Sequence, residues 1–161
     1  MLNVSSKDRL RELEKIVRRL SELDVLVGVP EGTTKRKKDK INNAQLVYIH
    51  THGSPVNNIP PRPLIEPAIE DPDNKKFINE DLKDAARNAL EGDEQKTMSA
   101  LVKAGIDAQN AVRDWFTNPK NNWPPNSPLT IAKKGSNQPL IDTGALRQSI
   151  IYVIRKKGEA T

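Results

Sequence analysis

With 161 residues, 35% of them hydrophobic and only 4% aromatic, the chain has the size of one domain with a modest core. It contains no cysteine, which excludes disulfides and thiolate metal sites. No apolar run approaches the ~18 residues that span a bilayer, the N-terminal MLNVSSKDRLRELEK is too charged for a signal peptide, and the net charge is +5, so a soluble protein made in a cytoplasm, without membrane contact, is expected.

Taken in chain order, Leu10, Leu13, Ile16, Leu20 and Leu23 recur at spacings of three and four, which predicts one apolar stripe on a helix from about Lys7 to Leu23, with Ser6 as its N-cap. DVLVGVP places Val25, Val27 and Val29 on one face of a half-buried strand ended by Pro30. After a basic loop at 33–41, NNAQLVYIHTHG reads as a short helix with an Asn cap and Gly53 as its stop. Pro60, Pro61 and Pro63 fix an extended segment before a short helix near Leu64, with Pro67 tolerable only in its first turn.

The middle is helical. Ile78, Leu82, Ala85 and Ala89 form one stripe, Gly92 and Asp93 a break and a new cap, and Met98, Leu101, Gly105, Ala108, Val112 and Trp115 a second stripe. A two-helix hairpin and one kinked helix fit equally. TNPKNNWPPNSP, residues 117–128, has four prolines in twelve residues and reads as a long loop. SIIYVIRK closes the chain as a β-branched run, a strand covered on both faces or tightly paired. The expected fold is a single α+β domain over residues 1–161, a small mostly antiparallel sheet packed against several α-helices with long loops.

Charge is segregated along the chain. Residues 1–32 carry six basic and six acidic groups, 33–65 six and one, 66–94 four and ten, 95–161 ten and four. Such blocks suit contacts between copies or with oppositely charged partners better than they suit a continuous nucleic-acid-binding face. The sharpest block, TTKRKKDK, holds Lys35, Arg36, Lys37, Lys38 and Lys40 and no apolar residue. Runs of this kind are ordinarily solvated loops; the functional reading is an arm that touches DNA phosphate or an acidic neighbour.

Asp142-Thr143-Gly144 within PLIDTGALRQSI is also the local signature of an aspartic protease. Such an enzyme needs a flap and a second aspartate sharing a proton, whereas only 17 residues follow Gly144, with no glycine-rich flap among them. A structural turn requires less: Asp142 or Thr143 accepts backbone N–H bonds, Gly144 lets the chain turn, and Leu146 points inward before the strand. His50 and His52 would suit metal ligation on a strand, but on the expected helix a two-residue spacing points the rings apart. Trp115, Phe116 and Trp123 read as core and loop anchors rather than base-stacking groups. No phosphate-cradling loop or nucleophile elbow is present, so no cofactor, metal or catalytic residue is assigned.

The order of several segments carries more than any one of them. VLVGVPEG, then NAQLVYIHTHGSP, NIPPRPLIEPAI, a helical middle and PLTIAKKGSNQPLIDTGALRQSIIYVI together resemble tailed-bacteriophage and prophage morphogenesis proteins, the neck, head-to-tail joining and tail-completion group. The resemblance runs from about Asp24 to Arg155, and departs from the group's pattern at Thr51, His52 and Leu64. It implies that residues 142–150 form a structural turn entering a sheet strand and that residues 60–63 are a second shared marker. It further implies a non-catalytic adaptor in the virion, assembled in the host bacterial cytoplasm, with copies forming a hexameric ring around the DNA channel and meeting other neck, connector and tail proteins. Tail terminator, head-closure protein and basic DNA-binding module are the alternatives. Alternating charge suits head-to-tail contacts, and two visible strands are too few for an independent sheet. Ile150, Ile151, Tyr152, Val153 and Ile154 are therefore expected to pair across subunits by edge addition, with Pro61, Arg62, His50 and His52 as further interface candidates.

Overall fold

The computed structural model describes residues 6–30 and 41–159. Among them, seven α-helices accompany one two-stranded antiparallel sheet, an α+β architecture as expected. α1 (Ser6–Ser21) ends before Leu23, which opens the next strand instead of closing the predicted stripe; the helix carries the stripe from Leu10 to Leu20 and buries none of its residues. Ile16 and Leu20 are half-buried, whereas Leu10, Leu13 and Val17 are exposed, so the stripe is covered only along one edge. β1 (Leu23–Gly28) follows, half-buried along its whole length.

α2 (Asn43–His52) is defined by its ends. Asn42 accepts a hydrogen bond from the Gln45 N–H at 2.8 Å, and the Asn42 N–H donates to the Gln45 side chain at 2.9 Å, a reciprocal capping box. Gly53 stops the helix at φ 74, and a Cβ there would lie 2.9 Å from the Ile59 carbonyl oxygen; only glycine fits such a turn. The proline segment then leads into α3 (Ile65–Glu70), with Pro67 in its first turn, where a missing N–H costs no helical bond.

α4 (Pro72–Leu90) and α5 (Glu94–Trp115) pack as a hairpin, which decides between the two arrangements the sequence leaves open. Asp71 caps α4, and Asp93 caps α5 by accepting from the Lys96 N–H at 2.9 Å. The buried line of α4 is offset from the predicted stripe: Asp81 and Ala85 are buried, while Leu82 is exposed. The reason is an ion pair, since Lys103 of α5 reaches back to the buried Asp81 carboxylate, and apolar periodicity does not register such a partner. α5 faces its neighbours with Ala104, Gly105, Ala108 and Ala111, small residues that let backbones approach closely.

Of the loop predicted at 117–128, residues 117–127 are irregular apart from one 3-10 turn at Pro119–Asn121 capped by Asn118, and Pro128 already belongs to a helix. α6 (Pro128–Lys134) is an addition to the sequence reading. Its signals are local: Ser127 accepts from the Thr130 N–H, Pro128 takes the first turn, and Gly135 ends it at φ 68. α7 (Ala145–Gln148) is a single turn before β2 (Ile151–Lys156). β2 pairs antiparallel with β1, Leu23 opposite Lys156 and Gly28 opposite Ile151. Tight pairing, not burial on two faces, is the outcome: Tyr152 packs on Gly105 of α5, whereas Ile151 on the opposite face is exposed.

The core sits at the C-terminal end of α5. Val112, Trp115 and Phe116 pack there with Val47, Leu64, Ala68, Leu146 and Ile150, each large side chain contributing about 1.5–3 kcal/mol by leaving water. α2, α3 and α7 are thereby drawn to one end of the long hairpin.

Candidate functional site

Beside this core the two segments that stand out in the sequence come together. Ile59, Pro60 and Arg62 on one side and residues 142–146 on another line an open cleft of about 870 Å³. Leu46, Leu129, Leu140 and Leu146 supply apolar surface; Arg62, Lys134 and Asp142 supply charge. Leu140 is held at φ 59, left-handed backbone that costs a leucine roughly 1–2 kcal/mol and is sustained by packing against the core.

Arg62 organises the cleft floor. Its side chain is only 6% exposed, and its guanidinium donates from Nε and Nη2 to the Pro124 carbonyl at 3.0 and 2.8 Å, and from Nη2 to the Pro125 carbonyl at 3.0 Å. Two successive prolines carry carbonyls but no N–H, so this loop cannot satisfy itself as a helix or strand would. Nη1 makes no hydrogen bond among the described residues, and burial holds the Arg62 pKa below its ordinary value. Trp123 locks the same junction by donating from Nε1 to the Pro63 carbonyl at 2.9 Å and meeting Phe116 edge to face at 5.9 Å. The expectation that Trp115, Phe116 and Trp123 are anchors is met: the first two are buried and the third half-buried.

Lys134 stands opposite. Burial lowers its pKa from the ordinary lysine value; Asp142 acts to raise it and Arg62 to lower it further. Its ammonium donates to the Gln138 carbonyl at 2.9 Å. Among the residues that line the cleft Asp142 is the one carboxylate. In the turn itself Thr143, rather than Asp142, accepts the Ala145 N–H, at 3.3 Å, and Gly144 turns at φ 80. Leu146 points into the core as expected. Downstream, Arg113 donates to the carbonyls of Gln148 and Ile150, and Arg147 donates back to the Arg113 carbonyl; residues 147–150 are clamped to α5.

The other candidates are distributed differently. His50 is half-buried against the cleft, with its backbone carbonyl accepting the Arg62 N–H, while His52 is exposed and stacks on Tyr48 at 4.3 Å. Among the described residues no three metal-ligating side chains gather. Ile150 precedes the strand and is fully buried in this chain's own core, so it cannot contact another subunit. Pro61 and Ile151 are exposed, and Tyr152, Val153 and Ile154 are half-buried. Alternation along an antiparallel pair, with Lys157 N–H bonded to the Glu22 carbonyl, turns the N–H groups of Tyr152, Ile154 and Lys156 outward. Those of Tyr152 and Lys156 are already taken by the side chains of Gln109 and Glu159. Among the described residues the β2 edge thus keeps one unengaged donor, at Ile154. Lys35, Arg36, Lys37, Lys38 and Lys40 lie outside the described residues.

Sequence reasoning overlooked Lys134 and Leu129. Their signal was the cap, Pro and Gly pattern of α6, which places both on one short helix beside the Asp142 turn. Compared with models of known protein families, with curated proteins and with solved structures, the chain matches none. Among the described residues no helix is long and apolar enough to cross a membrane.

Proposed function

We propose that this protein is a non-catalytic structural adaptor of a tailed-phage virion, forming a ring, hexameric by expectation, around the DNA channel at the head–tail interface, in the neck or in tail completion. One observation carries the reading: the two sequence markers of the resemblance, residues 60–63 and 142–150, meet at one cleft, and their polar groups there serve to hold loops and strand ends. Asp142 acts on Lys134, and it shares the cleft lining with Arg62 and with no second acid, which supports a docking role over acid-catalysed cleavage. Exposed Leu10, Leu13 and Val17 on α1 and exposed Ile151 on β2 supply apolar surface of the kind that assemblies cover.

Tail terminator and head-closure protein are neighbouring roles within the same connector. The test is to delete the reading frame from its phage or prophage and image the induced lysate by negative-stain electron microscopy. Filled heads with separate tails place it at the joint, and tails of uncontrolled length make it a terminator. Intact infectious particles would refute assembly and leave the basic DNA-binding module, whose duplex affinity must fall steeply with salt.

A further inference from the structure

We propose that the cleft is a receptor for a carboxylate carried by a second copy of this chain, and that its occupant is the α4–α5 hairpin tip around Leu90 and Glu91. This deepens the ring reading and rests on it. The cleft brings two cations, Arg62 and Lys134, against one exposed carboxylate, Asp142. Arg62 is nine-tenths buried and held by its Nε and Nη2 bonds, which leaves Nη1 unengaged among the described residues, and a pre-positioned guanidinium loses less on binding a carboxylate than a mobile surface lysine does. A polyanionic backbone fits less well, because it carries no apolar group to cover the cleft's leucine wall.

The tip matches in both respects. Leu90 is 52% exposed and Met98 45%; the exposed Glu91 makes no salt bridge among the described residues and meets Lys96 only through space, whereas Asp93 is bonded by Lys96 and Glu94 by Arg19. The tip belongs to the block with ten acidic and four basic residues, and Lys134 to the block with ten basic and four acidic. Exposed Leu129, 76% open at the cleft, offers the apolar counterpart. Position completes the argument: α5 has 22 residues, about 33 Å at 1.5 Å each, with the tip at its start and the cleft beside the core at its end. Complementary patches at opposite ends of one molecule make a heterologous contact, the kind that repeats from copy to copy and closes into a ring or extends into a filament.

The natural chain has no cysteine, so single thiols report on this contact without background. Glu91→Cys and Leu129→Cys, both at exposed positions, are purified separately, then mixed and oxidised. The expected result is a disulfide-linked heterodimer in the mixture, several-fold above either variant alone. In parallel, Lys134→Glu and Glu91→Lys should each weaken self-association by roughly tenfold, and the double exchange should restore it, as read by light scattering on folded protein. Mixed cross-linking no higher than the single-variant controls overturns the proposal, as does failure of the double exchange to restore association. Rings that assemble equally well with Lys134→Glu overturn it while leaving the adaptor reading intact. A wild-type chain that stays monomeric throughout overturns it too, and the deletion phenotype then decides the adaptor reading separately.

Discussion

Tyr152 of β2 lies directly on Gly105 of α5: a Cβ at residue 105 would sit 2.7 Å from the ring Cγ. Mid-helix glycine ordinarily costs about 1 kcal/mol relative to alanine, so by helix propensity Gly105→Ala should stabilise. Overlap with a ring backed by the sheet reverses the sign, and overpacking of this kind costs about 1–3 kcal/mol. A lowered denaturation midpoint for Gly105→Ala is expected, with much of the loss recovered in the Tyr152→Ala background. A stabilised single variant would mean that the sheet is free to lift off α5.

Arg62 is expected to resist its conservative replacement. The guanidinium reaches two consecutive proline carbonyls at once, a fork geometry that an ammonium cannot reproduce. Arg62→Lys and Arg62→Ala should therefore both destabilise, by about 1–3 kcal/mol, as partly buried carbonyls lose their donors. Urea unfolding of the two variants is the measurement. Lysine behaving like wild type would show that charge alone, without the fork, holds the 124–125 loop.

Ile150 and Ile151 are neighbours in sequence with opposite fates. Ile150 is 0% exposed and Ile151 36%. Ile150→Ala should cost about 2–5 kcal/mol of stability, independently of protein concentration. Ile151→Ala should cost well under half of that in the monomer, and any further effect should appear only in self-association. Sedimentation combined with thermal unfolding separates the two.

Local signals were legible in proportion to how local their physics is. The Asn cap of α2, the Gly53 stop, the Asp93 cap and the α5 stripe from Leu101 to Trp115 are all set by residues close in sequence and appear where the sequence places them, whereas Met98, the predicted first residue of that stripe, is exposed. Leu82 was misplaced because the residue that matters, Asp81, is buried by virtue of a partner 22 positions away. The cleft is harder still, since it arises where residues from the 50s, 60s, 120s, 130s and 140s converge on the end of α5. Composition and spacing carry no record of such convergence. The turn at Asp142 was legible because its physics is local too: Thr143 accepts the Ala145 N–H and Leu146 enters the core, both within four residues of Asp142.

Asp71 and Lys120 give the fold a defined pH signature. The Lys120 ammonium is 2.9 Å from carboxylate oxygens of both Asp71 and Asp73, and Asp71 also caps α4 through the Asp73 and Asn74 N–H groups. The hydrogen bond from Lys120 is the main cause that lowers the Asp71 pKa, and its bonds to Asp71 and Asp73 raise that of Lys120. A carboxylate whose folded pKa is depressed stabilises above its unfolded value, about 4, and loses that contribution as pH falls through the folded value. A lysine whose folded pKa is raised stabilises below its unfolded value, about 10.4, and loses the contribution as pH rises through the folded value. Asp71→Asn keeps a competent N-cap and removes only the charge. Wild type should therefore exceed Asp71→Asn in urea midpoint by a constant margin across neutral pH. That margin should shrink below pH about 4 and again on the alkaline side above pH about 10. A margin that persists unchanged in acid would assign the loss to cap geometry instead of to the ion pair.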